Sequence, residues 1–215
     1  MNVTVICSDN QHPVYPYLQE WCRENSPVYD ISLLTSVREI ERDGDILFLI
    51  SCSEIVRQDV RSKFRYTLVL HASDLPKGRG WSPHIWDIIS GKSLLTLSLL
   101  NAEDGVDTGD IWRKVTIKLD GTELYDEINS KLFDAEISLM DWACENIDNT
   151  LPVNQVDSSS SYYRKRTPAD SQIDIKKSLE SQFDLLRVSD PDRYPAYMVV
   201  KGQKYKIKLE KMDDE

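Results

Sequence analysis

Apolar residues along the chain fall into two periods, and the switch between them predicts the elements. "VTVICS" (3–8), "DILFLIS" (45–51), "YTLVLHAS" (66–73), "SLLTLSLL" (93–100) and "DIWRKVTIKL" (110–119) are short apolar runs with strand character. The run at 45–51 is nearly continuous, as expected of a strand buried on both faces. "VYPYLQEWCREN" (14–25) and "EIVRQDVRSKF" (54–64) read as helices, the first with Pro16 near its start. A long helix is predicted over 122–147, where Leu124, Ile128, Leu132, Ala135, Leu139 and Trp142 recur at helical spacing. Thr122 is its expected N-cap, with Glu123, Asp126 and Glu127 suited to the positive end of the helix. Strands alternating with helices predict a doubly wound, Rossmann-like α/β sheet.

The pattern changes near residue 151. "LPVNQVDSSSS" reads as a linker or loop, and "YYRKRTPAD" (162–170) is basic and aromatic. A helix is predicted over 171–188, with Ser171 and Asp174 at capping-box spacing, and then a β-hairpin turning at Gly202. This divides the chain into a domain over 1–150 and a small helix-plus-hairpin extension over 151–215. The hairpin either closes the domain or pairs across a dimer, which leaves monomer and homodimer both open.

Composition narrows the setting. A chain of 215 residues is long enough to bury a core of its own. No apolar run is long enough for a membrane helix, and "MNVTVICSDNQ" carries no basic leader. The four cysteines have no metal-binding spacing, so reduced thiols, a cytoplasmic location and no metal are expected. A net charge of −10 argues against nonspecific binding to a nucleic acid backbone, and an anionic substrate must meet a local basic patch.

Candidate chemistry gathers at strand ends. His71 closes the run at 66–73, and Asp107 lies in the acidic loop "NAEDGVDTGD". An imidazole can carry a proton near neutral pH, and a carboxylate can orient it. Taken alone, the two are equally a strand-end histidine and a turn aspartate. In "DLPKGRG" (74–80), Pro76 stiffens the chain, Gly78 and Gly80 permit close approach, and Lys77 and Arg79 offer charge to a phosphate or carboxylate. The spacing is not that of a P-loop. Trp81 and Trp86 read as packing residues before ligand stackers, and His84 as an ordinary surface or helix residue.

Taken together, His71, Ser73, Leu75 and Pro76, followed by Asp107, Thr108, Gly109 and Asp110, resemble the folate-dependent formyltransferase family. Its members carry an Asn-x-His-x-Ser-x-Leu-Pro segment and a downstream Asp-Thr-Gly-Asp loop. "HASDLPKGRGWSPHIW" and the tail with its Arg-Thr-Pro and Tyr-Pro-Ala-Tyr stretches are similar to the branch acting on nucleotide-linked amino sugars. That branch includes the enzymes for UDP-4-amino-4,6-dideoxy-N-acetyl-altrosamine and is tied to pseudaminic-acid-type surface glycans. The tRNA-formylating branch has a longer, more basic C-terminal domain.

The resemblance implies N10-formyltetrahydrofolate as formyl donor and an amino-sugar nucleotide as acceptor. It implies His71 and Asp107 as catalytic residues. It places the pterin against Ser51 and Ser53 of segment 51–55, and against Glu103, Asp104, Gly105 and Val106 of segment 101–106. Ser73, Lys77, Arg79, Trp81, Tyr163, Arg166 and Tyr197 are the candidate acceptor contacts. The asparagine position of the family is Val69 here. Its oxyanion contact then falls to a backbone N–H, to a side chain such as Ser73 or Asn101, or to His71 itself. Otherwise the chain is a silent binding module. A hydrolase releasing formate is the third reading.

Overall fold

The computed structural model describes residues 1–156 and 159–212, so Asp157 and Ser158 of the predicted linker lie outside the described residues. Its centre is a six-stranded sheet. The strands are β1 (Asn2–Ile6), β2 (Asp30–Leu34), β3 (Gly44–Leu49), β4 (Phe64–His71), β6 (Leu94–Asn101) and β7 (Ile111–Lys118), in the order β2-β1-β3-β4-β6-β7. The first four run parallel, and β6 alone is reversed, antiparallel to both its neighbours β4 and β7, so the doubly wound sheet is mixed. The β1, β3 and β4 strands are flanked by buried residues on both faces, which explains their apolar runs.

One face is covered by α1 (Tyr15–Asn25), α3 (Pro83–Ile89) and the long α4 (Tyr125–Asn146). Leu18, Ile88, Leu132 and Leu139 pack there against Val5, Phe48, Leu68 and Leu97. A smaller cluster of Ile6, Leu47, Leu49, Val56 and Phe64 fills the other face.

Four local expectations are corrected. β2 was not predicted: its residues are only half buried at the sheet edge, so its apolar signal is weak. The helix expected over 54–64 shrinks to the single turn α2 (Gln58–Arg61), because Val56 is drawn into the second cluster and Arg61 donates to its carbonyl at 2.7 Å. α4 starts three residues after Thr122. Glu123 accepts the Asp120 and Gly121 N–H groups at 2.8 and 3.0 Å, closing the preceding turn, and Glu127 accepts the Leu124 N–H at 2.8 Å. The helix expected over 171–188 survives only as α5 (Phe183–Arg187). The cap is made earlier, where Asp170 accepts the Thr167 N–H at 2.7 Å over a short 3-10 turn, Pro168–Ser171.

The C-terminal segment is stitched to the sheet domain. The short strand β5 (Arg79–Gly80) pairs with β8 (Tyr162–Tyr163), and Val153 bridges to Ile111. The buried Arg187 donates to the Glu123 carbonyl at 3.3 Å. The hairpin β9 (Ala196–Val200) and β10 (Gln203–Ile207) turns at Gly202, as predicted.

Candidate active site

β4 ends on His71, whose side chain is buried. Its Nε2 lies 2.8 Å from the Gly78 carbonyl oxygen. A carbonyl only accepts, so Nε2 carries a hydrogen. That leaves Nδ1 facing Asp107 Oδ1 at 3.5 Å. The two residues are 36 positions apart in the chain and meet in one place.

Asp107 is held there by its surroundings. Its backbone is left-handed, with φ 55°, a conformation that is costly outside glycine and is found at over-determined sites. Its Oδ2 accepts the Gly80 N–H at 2.8 Å. Gln155 donates to the Asp107 carbonyl at 2.9 Å and to the Gly109 carbonyl at 2.7 Å, while accepting from Arg79 at 2.9 Å. Gln155 was not predicted, since it carries no chemistry of its own and sits in a polar stretch. Gly80 has φ 97°, and a Cβ there would meet the Tyr163 carbonyl at 2.4 Å, so the glycine is what lets its N–H reach Asp107. The Asp107-Thr108-Gly109 turn depends on its glycine too, because a Cβ at Gly109 would fall 2.0 Å from the Asn101 carbonyl.

Ser51 and Ser53 lie just beyond β3. Ser51 is left-handed, with φ 48°, and its Oγ is 3.3 Å from His12 Nε2. Burial and the nearby Arg193 charge push the His12 ring down to about 4, so it is neutral at physiological pH. The Ser53 N–H donates to Ser8 Oγ at 3.0 Å. Glu103, Asp104, Gly105 and Val106 are exposed on the loop before Asp107. Asp104 pairs with Arg61 at 2.7 Å, which ties this loop to the segment after β3. Ile55 and Val106 are exposed apolar side chains on those two segments.

Of the candidate acceptor residues, Ser73 is sealed, with its hydroxyl buried and without a partner among the described residues. Lys77 is exposed, and Trp81 is 41% exposed with the Lys165 ammonium 4.6 Å above its ring. Tyr163 stacks on Trp86 at 6.1 Å and donates to Asp87 at 2.7 Å; burial and Asp87 push its phenol up to about 12. Trp86 is therefore a packing residue. Arg166 donates to Ser171 at 3.0 Å, and partial burial lowers its pKa. Tyr197 donates to Gln172 at 3.2 Å. Arg166 and Tyr197 thus gather around the Pro168–Ser171 turn, one step along the chain from the β5–β8 pair. His84 is more enclosed than an ordinary surface residue: its Nδ1 is buried without a partner among the described residues, and burial pushes the ring down to about 4. Asn101 faces away from His71. It pairs with Leu68, and its amide oxygen accepts the Trp112 indole N–H at 2.7 Å. Among the described residues no His, Cys, Asp and Glu side chains gather as a metal site.

An imidazole–carboxylate pair at the carboxyl end of a doubly wound sheet, beside a proline-glycine loop, stands where ligands of such sheets bind and can move a proton. Residues 4–143 match the model of the formyl transferase family, and the chain belongs to that family. The methionyl-tRNA formyltransferase of Rickettsia prowazekii is 31% identical over 160 residues, which are 72% of this chain and 53% of that protein. The chain therefore spans about half the length of the curated relatives it matches. Among solved structures, HypX from Aquifex aeolicus in complex with tetrahydrofolic acid superimposes with a TM-score of 0.79 at 16% identity, covering 96% of this chain and 37% of that one. A sugar N-formyltransferase from Shewanella sp FDAARGOS_354 gives 0.75 at 16% identity, covering 100% and 99%.

Proposed function

We propose that this chain transfers a formyl group from N10-formyltetrahydrofolate to the 4-amino group of a nucleotide-linked amino-dideoxy sugar, in the making of pseudaminic-acid-type surface glycans. The observation that carries the transfer chemistry is the His71–Asp107 contact, 3.5 Å apart with both side chains largely buried at the end of β4. The neutral amine attacks the formyl carbon and a C–N bond forms. Asp107 takes the amine proton, directly or through water, and orients His71. The bond from carbon to N10 then breaks, and N10 takes up a proton. Holding both substrates in line supplies much of the remaining acceleration.

The pterin is assigned to the segments carrying Ser51, Ser53 and residues 103–106, with Ile55 and Val106 as apolar walls. The extension after residue 151 is assigned to the acceptor. Lys77, Arg79 and Arg166 offer charge to the diphosphate, and Trp81, Tyr163 and Tyr197 frame the nucleotide. The likeness along nearly both full lengths extends to a sugar N-formyltransferase and to a methionyl-tRNA formyltransferase alike, so the acceptor reading rests on the motif resemblance and the local cations. The sequence relatives favour a second reading, methionyl-tRNA as acceptor. The net charge of −10 weighs against it, since a tRNA backbone requires a broad basic surface.

The deciding experiment offers N10-formyltetrahydrofolate with a panel of UDP- and dTDP-linked 4-amino sugars, and separately with charged initiator tRNA. Mass gain on a sugar nucleotide supports the proposal. Formylation of the tRNA alone, or formate release without an acceptor, replaces it.

A further inference from the structure

We propose that Ser161 positions His71 for the reaction: its hydroxyl fixes the Gly78 peptide, and the Gly78 carbonyl holds the imidazole. This rests on the formyl-transfer reading and gives the C-terminal segment a part in the catalytic centre besides the acceptor. Groups that move a proton must be held within a fraction of an ångström, and the hydrogen bonds behind them do the holding. The loop from Pro76 to Trp81 grips both members of the pair. The Gly78 carbonyl accepts the His71 Nε2–H at 2.8 Å, and the Gly80 N–H donates to Asp107 Oδ2 at 2.8 Å.

The loop takes its shape from the extension. Gly78 gives its N–H to Ser161 Oγ at 2.8 Å, Arg79 to the Ser161 carbonyl at 2.9 Å, and Trp81 to the Tyr163 carbonyl at 3.0 Å. The Ser161 N–H returns to the Pro76 carbonyl at 3.4 Å. So of the consecutive N–H groups from Gly78 to Trp81, all but that of Gly80 are taken by residues 161–163. The two stretches lie close because residue 78 has no side chain: a Cβ there would sit 3.0 Å from the Ser73 Cβ and 3.2 Å from the Tyr163 ring.

One of these bonds depends on a side chain. Those at Arg79 and Trp81 run to backbone carbonyls and do not need the Ser161 hydroxyl, so Gly80 stays on Asp107 without it. Gly78 is different. Its φ is 75°, and glycine has the widest backbone freedom, so the residue needs an outside anchor. Its N–H and its C=O belong to one short unit. An acceptor on the first therefore sets the direction of the second. Without the hydroxyl, the Gly78 carbonyl turns away from Nε2 and the ring loses its hold on that side. Ser161 is exposed, so changing it opens no core. It is a positioning residue, acting through Gly78 and the imidazole.

The test reads the ring hydrogen and turnover together. NMR of the isotope-labelled full chain follows the His71 Nε2–H. In Ser161→Ala this hydrogen should exchange with solvent at least about tenfold faster than in wild type, because the bond to Gly78 opens more often. The same variant should lower kcat about tenfold, the scale of a small misplacement, with the donor and acceptor KM each moving less than about threefold. Ser161→Thr keeps the hydroxyl and should restore both readings. In a His71→Ala background, followed in single turnovers, Ser161→Ala should slow transfer by less than about threefold more, since its effect passes through the imidazole. Wild-type exchange in Ser161→Ala, a kcat within about twofold of wild type, or independent losses in the double variant would overturn the inference. Circular dichroism melts exclude misfolded variants, and Ser161→Val, shaped like threonine and suited to a strand, serves where Ser161→Ala fails to fold. If the wild type formylates none of the offered acceptors, the formyl-transfer reading fails separately. The ring hydrogen then still decides whether Ser161 holds His71: faster exchange in Ser161→Ala supports it, and unchanged exchange overturns it.

Discussion

The Gln155 amide donates to the Asp107 carbonyl at 2.9 Å, so a residue of the C-terminal segment fixes the backbone of the carboxylate that faces His71. The same amide reaches the Gly109 carbonyl at 2.7 Å, and its oxygen takes a hydrogen bond from Arg79 at 2.9 Å. One side chain thereby joins the acidic loop, the basic loop and the extension.

Removing that clamp is expected to free Asp107 from its left-handed conformation. Gln155→Ala should lower kcat by roughly 10- to 100-fold, since small misplacements of a reacting group are costly. Gln155→Glu should be worse, because a carboxylate would face two carbonyl oxygens. Steady-state kinetics with the donor KM as control checks both, and an unchanged kcat in Gln155→Ala removes the clamp from the account.

Arg166 carries the proposal for the acceptor. Its guanidinium is partly buried and bonded to Ser171, which places a charge beside the turn that also holds Tyr197 through Gln172. Arg166→Ala should raise the KM for the sugar nucleotide by about tenfold, the scale of one lost charged contact, and leave the folate KM in place. Equal changes in both constants would assign Arg166 to the structure and not to the acceptor.

Stability should depend on pH through Glu136. This carboxyl on α4 is buried, its Oε2 has no partner among the described residues, and desolvation pushes it up to about 8 from an ordinary 4.5. The folded chain keeps a proton that the unfolded chain gives up, so stability falls as pH rises from about 4.5 to about 8 and then levels. His12, lowered to about 4 from 6.5, acts in the opposite sense but only below about 6.5. Between about pH 6.5 and 8 the Glu136 slope should therefore stand alone, worth on the order of 1–2 kcal/mol over that window. Urea denaturation of wild type and Glu136→Gln reads it: the variant should show a flat profile there, and a slope unchanged by the substitution contradicts the assignment.

The sheet was legible where burial is two-sided. β3, β4 and β6 announce themselves as apolar runs because both faces are covered or nearly so. β2 hides because an edge strand needs no such run, and the short helices at 54–64 and 171–188 mislead because helical spacing says nothing of tertiary pulls on Val56 or of a cap made at Asp170. That His71 and Asp107 meet at one strand end could be expected from their motifs. Gln155 and the His12–Ser51 bond could not, since each pairs residues far apart in the chain with no local pattern to mark them.

The most direct measurement follows an isotopically labelled formyl group through a single turnover with wild type and Asp107→Asn, using the acceptor found by the panel. The account predicts the label in a formamide on the acceptor amine for wild type. For Asp107→Asn, with folate still bound, it predicts transfer slowed by at least about 100-fold. Transfer at the wild-type rate by Asp107→Asn, or delivery of all the wild-type label to formate, would contradict it.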